Sequence, residues 1–290
     1  MTSDACRLAP AKVNLALHLT GLRADGYHLL DSLVVFVDLG DQLSARAADD
    51  LSLTVSGPFC DGVPTDSANL VLKAAMRLRE LRGVTAGAAL HLEKQLPHGG
   101  GIGGGSSDAA TAIRLLADLW QVLPLTAEEA LPLGADIPVC LAAPAPTIMR
   151  GIGDELTPAW GVPEGWLVLV NPGVAVPTGA VFTLHDQLYP LDNPPMAPLP
   201  PDAGLDGFET WLVAQRNDLT KVARADQIAP VIGTVLGALH RHTVVSEMSG
   251  SGSTCWGWFR TESTAKAAAT AISAAHPAWW VRAARMTGSS

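Results

Sequence analysis

The chain has 290 residues, 48% of them hydrophobic and 16% charged, which describes a globular protein long enough for a substantial core and two domains of ordinary size. Its 19 basic and 28 acidic residues leave a formal net charge of −9, which argues against a nucleic-acid binder that relies on a general basic surface; an anionic ligand has to be captured locally. Cys6, Cys60, Cys140 and Cys255 are far apart and form no CxxC, so buried free thiols are expected rather than a zinc site or a disulfide scaffold. No apolar run approaches the roughly 20 residues of a membrane span, and the N-terminus lacks the basic-then-apolar pattern of a signal peptide, so a soluble, cytoplasmic protein is expected.

In chain order, "KVNLALHLTG" alternates, with Val13, Leu15, Leu17 and Leu19 on one face and Asn14, Ala16, His18 and Thr20 on the other, and reads as a strand. "SLVVFVDLGD" and "LSLTVSG" read as further strands, and "SANLVLKAAMRLRELRG" as a helix capped by Ser67 and stopped at Gly83. "AALHLEKQ" alternates again before "LPHGGGIGGGSSDAA", which places six glycines in the seven positions from Gly99 to Gly105 and runs into a helical pattern through Ala109, Ala112, Ile113, Leu116 and Trp120. A loop without β-carbons at a helix N-terminus suits phosphate, because the first N–H groups are unsatisfied and carry partial positive charge; a purely structural glycine turn is the other reading. Ser106, Ser107 and Asp108 are suitable N-caps. Walker A fails, since Ser106 and not lysine follows Gly105, and the GxGxxG match of Gly99, Gly101 and Gly104 lacks the acidic partner about 20 residues on at the end of a second strand, the acid nearest that spacing, Asp118, lying inside the helix.

"LGADIPVCL" is a turn into an apolar segment, and a second unit is expected from about residue 151, giving domains 1–150 and 151–290. "WLVLVNPGVAVPTGAVF" reads as a buried strand, a Pro-Gly turn and a helix from Thr178. Six prolines between Tyr189 and Asp206 mark an exposed irregular connection. Helices follow over 208–240, then "TVVSEM" and "CWGWF" flanking "SGSGS", a helix over 262–275 and a strand in "WWVRAA". His240 and His242 lack a third ligand at useful spacing and are taken as structural. Strands and helices alternate without one long parallel pattern, so the expected class is α+β.

"PAKVNLALHLTGLRADGYH", "LPHGGGIGGGSSDAA" and "MSGSGSTCWGWF", in this order, resemble the GHMP small-molecule kinases, named for galactokinase, homoserine kinase, mevalonate kinase and phosphomevalonate kinase. Within that superfamily "RADGYH" and "LGADIP" most resemble the branch whose acceptor is 4-diphosphocytidyl-2-C-methyl-D-erythritol, in the non-mevalonate isoprenoid pathway. The resemblance implies a two-lobed fold, with a ribosomal-protein-S5-like N-terminal lobe and a ferredoxin-like C-terminal lobe, and ATP-dependent phosphorylation of the acceptor's 2-hydroxyl with Mg²⁺. The "QVLPLTAEEALPLGAD" connection is shorter than usual in that family, and the Pro-rich stretch 190–201 is unusual.

The resemblance assigns the proton acceptor to Asp136 and a positive partner to Lys12, where residue types alone favour a helix cap and a solvated surface charge. It places Asn69 and Lys94 near the adenine and wraps the phosphates with Gly101, Gly103, Gly104, Gly105, Ser106 and Ser107. Asn14 shares a strand face with Lys12 and is expected to orient substrate, a solvent-facing polar residue being the other reading. Tyr27, His28 and Phe182 are the matched positions for cytosine, by stacking and a hydrogen bond; an Asp-Gly turn with a partly buried aromatic is the alternative. "SGSGS" approaches the substrate in the family, or serves as a hairpin turn. No dedicated protein metal site is expected: Mg²⁺ rides on the nucleotide, with Ser107 as one candidate contact. A monomer or weak homodimer is expected, with a small-molecule substrate and neither nucleic acid nor membrane as partner. A mevalonate- or homoserine-type kinase, an NAD-dependent oxidoreductase and a non-catalytic nucleotide-binding module remain as alternatives.

Overall fold

A computed structural model describes residues 5–189, 193–201 and 204–288. Its contacts divide the chain into two units. The first holds the residues through Ala11, Leu39–His98 and Gly103–Ala143; the second holds Lys12–Asp38, Gly99–Ile102 and the residues from Pro144 onward. The expected single cut at 150/151 is therefore replaced by a cut after Ala143, with two earlier stretches assigned to the second unit. Strand pairing is the reason: Leu30–Val34 pair antiparallel with Thr147–Gly151 and so belong with the later residues.

The first unit is built from parts of β1 (Ala5–Leu22) and β2 (His28–Ala48), then β3 (Leu51–Ser56), α1 (Leu70–Arg82), β4 (Gly87–Glu93), α2 (Gly104–Trp120), α3 (Ala127–Ala130) and α4 (Ile137–Leu141). Residues Gln42–Ala48 of β2 pair antiparallel with β4, and β3 pairs parallel to β4. The alternation of β4 is the expected one, with Leu90 and Leu92 buried and His91 exposed. α1 and α2 pack together. The cap of α1 is Asn69, not Ser67: its side chain accepts from the Val71 N–H, and Gly83 closes the other end at φ 63° with its N–H on the Arg79 and Glu80 carbonyls. α2 buries Ala109, Ala112, Ile113, Leu115 and Leu116, and each fully buried leucine or isoleucine contributes about 1.5–3 kcal/mol.

The second unit continues with β5 (Thr147–Gly151), β6 (Glu155–Pro158), β7 (Gly165–Asn171), α5 (Thr178–Leu188), α6 (Gly204–Val213), α7 (Thr220–Ala223), α8 (Val231–Leu239), β8 (Ser246–Met248), β9 (Cys255–Phe259), α9 (Glu262–Ala275) and β10 (Trp280–Met286). β10, β7, β9 and β8 pair antiparallel in that order, and α8 and α9 supply Ile232, Val235, Ala265, Ala268 and Ile272 to the core over them. Within this unit every residue of β1 from Lys12 to Leu19 is buried, so Asn14 and His18 lie inside rather than on a solvent face.

One expectation needs correction. Of the cysteines, only Cys140 and Cys255 are buried, while Cys6 is exposed and Cys60 half-buried; all are free. Residues 190–192 lie outside the described residues, and 193–201 carry no helix or strand and are mostly exposed, as expected, with one anchored point. Met196 is buried with its N–H on Asp31, and the Ala197 carbonyl accepts from the Trp211 indole.

Candidate functional site

In the first unit, α2 opens without a side-chain cap. Gly103 is its N-cap residue, left-handed at φ 63°, and Ser106, Ser107 and Asp108, expected as caps, lie inside the helix. The first N–H groups of a 17-residue helix thus meet no capping side chain, with the positive end of the helix dipole behind them. The glycines divide by cause. Gly103 is required by its backbone, whereas a β-carbon at Gly104 would stand 3.5 Å from Lys94 Nζ and 3.6 Å from Asp41 Oδ2, and one at Gly105 3.6 Å from Leu70 Cδ1, all ordinary contacts. The fold tolerates a side chain at Gly104 and Gly105, so internal packing does not require a bare backbone there.

Lys94, expected near the adenine, is engaged within the protein. Its ammonium is 4% exposed and sits between Asp41 and Asp108, the latter at 2.8 Å. The other Asp41 oxygen accepts the N–H groups of Gln95 and Leu96, at 2.5 and 2.9 Å. Burial alone would lower the Lys94 pKa, but Asp108 and Asp41 together outweigh it and the pKa is raised. Burial raises the Asp108 carboxyl to about 7, with Asp41 adding to the rise and Lys94 opposing it. The triad thus ties the end of β4, the chain leaving it and the second turn of α2 to one buried point. Asn69 is likewise engaged: besides capping α1 it donates Nδ2 to the Pro64 carbonyl at 2.7 Å.

Asp136 occupies the N-cap position of α4 but makes no capping hydrogen bond with its side chain, so the cap reading of this residue fails. The short connection before it is braced. Thr126 and Glu129 form a capping box on α3, and Arg82 holds Glu129 at 2.6 Å and the carbonyls of Leu123 and Pro124 at 2.9 and 2.8 Å. The Arg82 guanidinium pulls the Glu129 carboxyl down to about 2.

In the second unit, Lys12 is 3% exposed, so the surface-charge reading fails, and its backbone N–H is bonded to the Ile102 carbonyl at 3.0 Å. Asn14 donates Nδ2 to Ser32 Oγ at 2.8 Å, and its backbone N–H is bonded to Ser249 Oγ at 3.0 Å. Its Oδ1 is buried without a hydrogen-bond partner, an acceptor in want of a donor. "SGSGS" is more than a hairpin turn. Ser249 Oγ donates to the Gly101 carbonyl, the Thr254 N–H to Gly100, and Asn217 Nδ2 to the Met248 and Gly250 carbonyls. A β-carbon at Gly101, φ 73°, would overlap the Ser249 carbonyl.

His28 and Phe182 come together, ring centroids 4.6 Å apart and planes 37° from parallel, and Asp186 Oδ1 stands 2.6 Å from His28 Nε2. Tyr27 does not join that pair: it is 59% exposed, with the Arg23 guanidinium 5.5 Å from its ring centre. Sequence reasoning missed Asp41, Asp186, Asn217 and Ser249 as site-building residues and took Asp108 for a helix cap rather than a partner of Lys94. Ser249 and Asp108 lay in motifs already singled out; Asp41, Asp186 and Asn217 act across 31 to 158 positions.

The model of the GHMP kinases N terminal domain matches residues 69–149, and that of the GHMP kinases C terminal matches residues 208–278. A 4-diphosphocytidyl-2-C-methyl-D-erythritol kinase from Dinoroseobacter shibae is 53% identical over 94% of this chain and 92% of its own. The chain belongs to this family of GHMP kinases. The like-named protein of Paramagnetospirillum magneticum is 50% identical over 96% and 97% of the two chains. A crystal structure of 4-(cytidine 5′-diphospho)-2C-methyl-D-erythritol kinase matches 98% of this chain and all of its own at TM-score 0.79 and 31% identity. The L. major mevalonate kinase, at TM-score 0.66 and 15% identity over 100% and 97% of the chains, shares the fold. These likenesses bear out the expected α+β, two-domain GHMP class.

The donor set bears on Mg²⁺. Among the described residues no group of three or more His, Cys, Asp or Glu side chains is placed to hold a metal ion, and the Ser107 hydroxyl is buried, donating to the Pro10 carbonyl at 2.7 Å. Among the described residues, no helix is long and apolar enough to cross a membrane.

Proposed function

We propose that the chain transfers the γ-phosphoryl group of ATP to the 2-hydroxyl of 4-(cytidine 5′-diphospho)-2-C-methyl-D-erythritol, a step of the non-mevalonate route to isoprenoid precursors. The observation that carries the reaction class is the uncapped start of α2, where Gly103 turns the chain and Gly104 and Gly105 leave the backbone bare for phosphate oxygens. The choice of acceptor rests on relatives bearing that name at about half identity over nearly the full length.

In this reading Gly101 to Ser107 follow the ATP phosphates, and the region of Asn69 and Lys94 receives the adenine through backbone and packing, since both side chains are engaged within the protein. Asp136, not spent on capping, accepts the proton of the acceptor hydroxyl. Lys12 supplies a compact positive charge to the transferring group, and Asn14 Oδ1 accepts from a substrate hydroxyl. Tyr27 and Phe182 offer faces to the cytosine and His28 an edge. Mg²⁺, when bound, arrives on the nucleotide and neutralises phosphate charge. A cytoplasmic location and a monomeric or weakly dimeric state belong to the same proposal and are checked by fractionation and sedimentation.

The test is a coupled assay of ADP release over the cytidyl acceptor, mevalonate and homoserine. Turnover of the cytidyl acceptor alone is expected, with Asp136→Asn losing roughly 10²-fold or more in kcat at little change in ATP affinity. Turnover of mevalonate or homoserine instead overturns the acceptor, ATP binding without turnover overturns the kinase, and near-normal Asp136→Asn removes Asp136 from the chemistry.

A further inference from the structure

Asp186 stands at the last turn of α5, one residue after the buried His185, and its carboxylate meets His28 Nε2 at 2.6 Å, short enough for a charge-assisted hydrogen bond. A carboxylate can only accept, so the proton of that bond is on Nε2. In its neutral form the ring carries its lone pair on Nδ1, which has no hydrogen-bond partner among the described residues. Phe182, one helical turn before Asp186 on α5, lies against the same ring, so one helix supplies both the carboxylate that sets the tautomer and the aromatic face that sets the ring plane.

We infer that Asp186 is a positioning residue for base specificity, holding His28 as the Nε2–H tautomer so that Nδ1 accepts a hydrogen bond from the exocyclic amino group of a cytosine. The inference rests on the cytidyl-acceptor reading above and deepens it. Cytosine presents an amino donor where uracil presents a carbonyl acceptor. An Nδ1 lone pair pairs with the first and faces the second lone pair to lone pair, so selectivity against the uridyl analogue follows from an unpaired acceptor rather than from shape. With the tautomer reversed, Nδ1–H would donate and the preference would invert. A sequence-level reading of "DGYH" as a stacking site leaves this open, because tautomer choice depends on a partner 158 positions away.

The experiment has two arms on the full-length protein. Ring ¹⁵N chemical shifts of His28, assigned by its loss in His28→Gln, are expected to show a protonated Nε2 and a bare Nδ1 in the wild type, and a mixture of tautomers in Asp186→Ala. Steady-state kinetics with the cytidyl acceptor and its uridyl analogue are expected to show that Asp186→Ala raises the cytidyl KM about tenfold, leaves kcat and the ATP KM within about twofold, and narrows the cytidyl-over-uridyl preference by a similar factor. Asp186→Asn, whose amide oxygen still accepts from Nε2–H, is expected to recover most of the preference, which a merely structural role for Asp186 would not require. A wild-type His28 protonated on Nδ1, or an unchanged preference in Asp186→Ala, overturns the inference while leaving the kinase reading intact. Failure of wild type to turn over any cytidyl acceptor overturns the reading beneath it.

Discussion

Around the start of α2 the charged groups are buried and matched to one another, with Lys94 between Asp41 and Asp108 and two backbone N–H groups on the far side of Asp41. Around His28 the arrangement is open: a single carboxylate, one ring contact, and in Tyr27 an aromatic side chain more than half exposed. The first region is fixed by its own ion pairs and backbone contacts, and preorganised donors gain most from such rigidity. The second leaves the Tyr27 ring exposed while the His28 and Phe182 rings lie against each other, so fewer fixed contacts hold it.

The contrast breaks most sharply at Lys94. Lys94→Met keeps the apolar stem but leaves two carboxylates buried without a cation, and a loss of about 3–5 kcal/mol in stability is expected from urea unfolding. A loss no larger than that of an ordinary surface change, within about 0.5 kcal/mol, would mean that the triad does not hold this region.

Next in size is the pH dependence of the same triad. The folded Asp108 carboxyl, raised by burial to about 7, binds its proton more tightly than in the unfolded chain, where the value is near 3.8. Its contribution is therefore present in full below pH 3.8 and is lost as the pH rises through about 7. The stability of the wild type relative to Asp108→Asn is expected to fall between these limits, read from melting curves across the range; a flat difference would show that Lys94 holds Asp108 ionised throughout.

A sharper question goes to Gly104, where an added β-carbon would meet nothing closer than 3.5 Å within the protein. Gly104→Ala is expected to fold with little change in melting temperature and to bind ATP about tenfold more weakly by calorimetry, roughly 1.4 kcal/mol. Gly103→Ala, forced into a left-handed conformation, is expected to lose stability as well, by about 1 kcal/mol. Equal ATP affinity in Gly104→Ala would leave the glycines a turn and nothing more.

The smallest effect is expected where the structure is most open. Tyr27→Ala removes a ring that is 59% exposed, so stability should move by no more than about 0.5 kcal/mol while the KM for the cytidyl acceptor rises several-fold and the ATP KM stays put. A stability loss without a KM change would make Tyr27 a packing residue of its turn.

Local chemistry made much of this protein legible in its sequence. Period-two alternation marked β1 and β4, and the glycines before "SSDAA" marked the start of α2, because each of these depends on neighbours a few positions away. The cap of α1 fell two residues from Ser67 because the Asn69 amide, unlike that hydroxyl, also reaches back to Pro64. What only the tertiary structure decided is which polar groups are shared. Lys94, expected near the adenine, is the centre of a buried triad through Asp41, 53 positions earlier; Asn14, expected to orient substrate or else to face solvent, is buried with an orphan acceptor; His28 meets the Asp186 carboxylate. A side chain's charge state and free hydrogen-bonding capacity depend on partners brought within about 3 Å by folding, and sequence spacing holds no record of those distances.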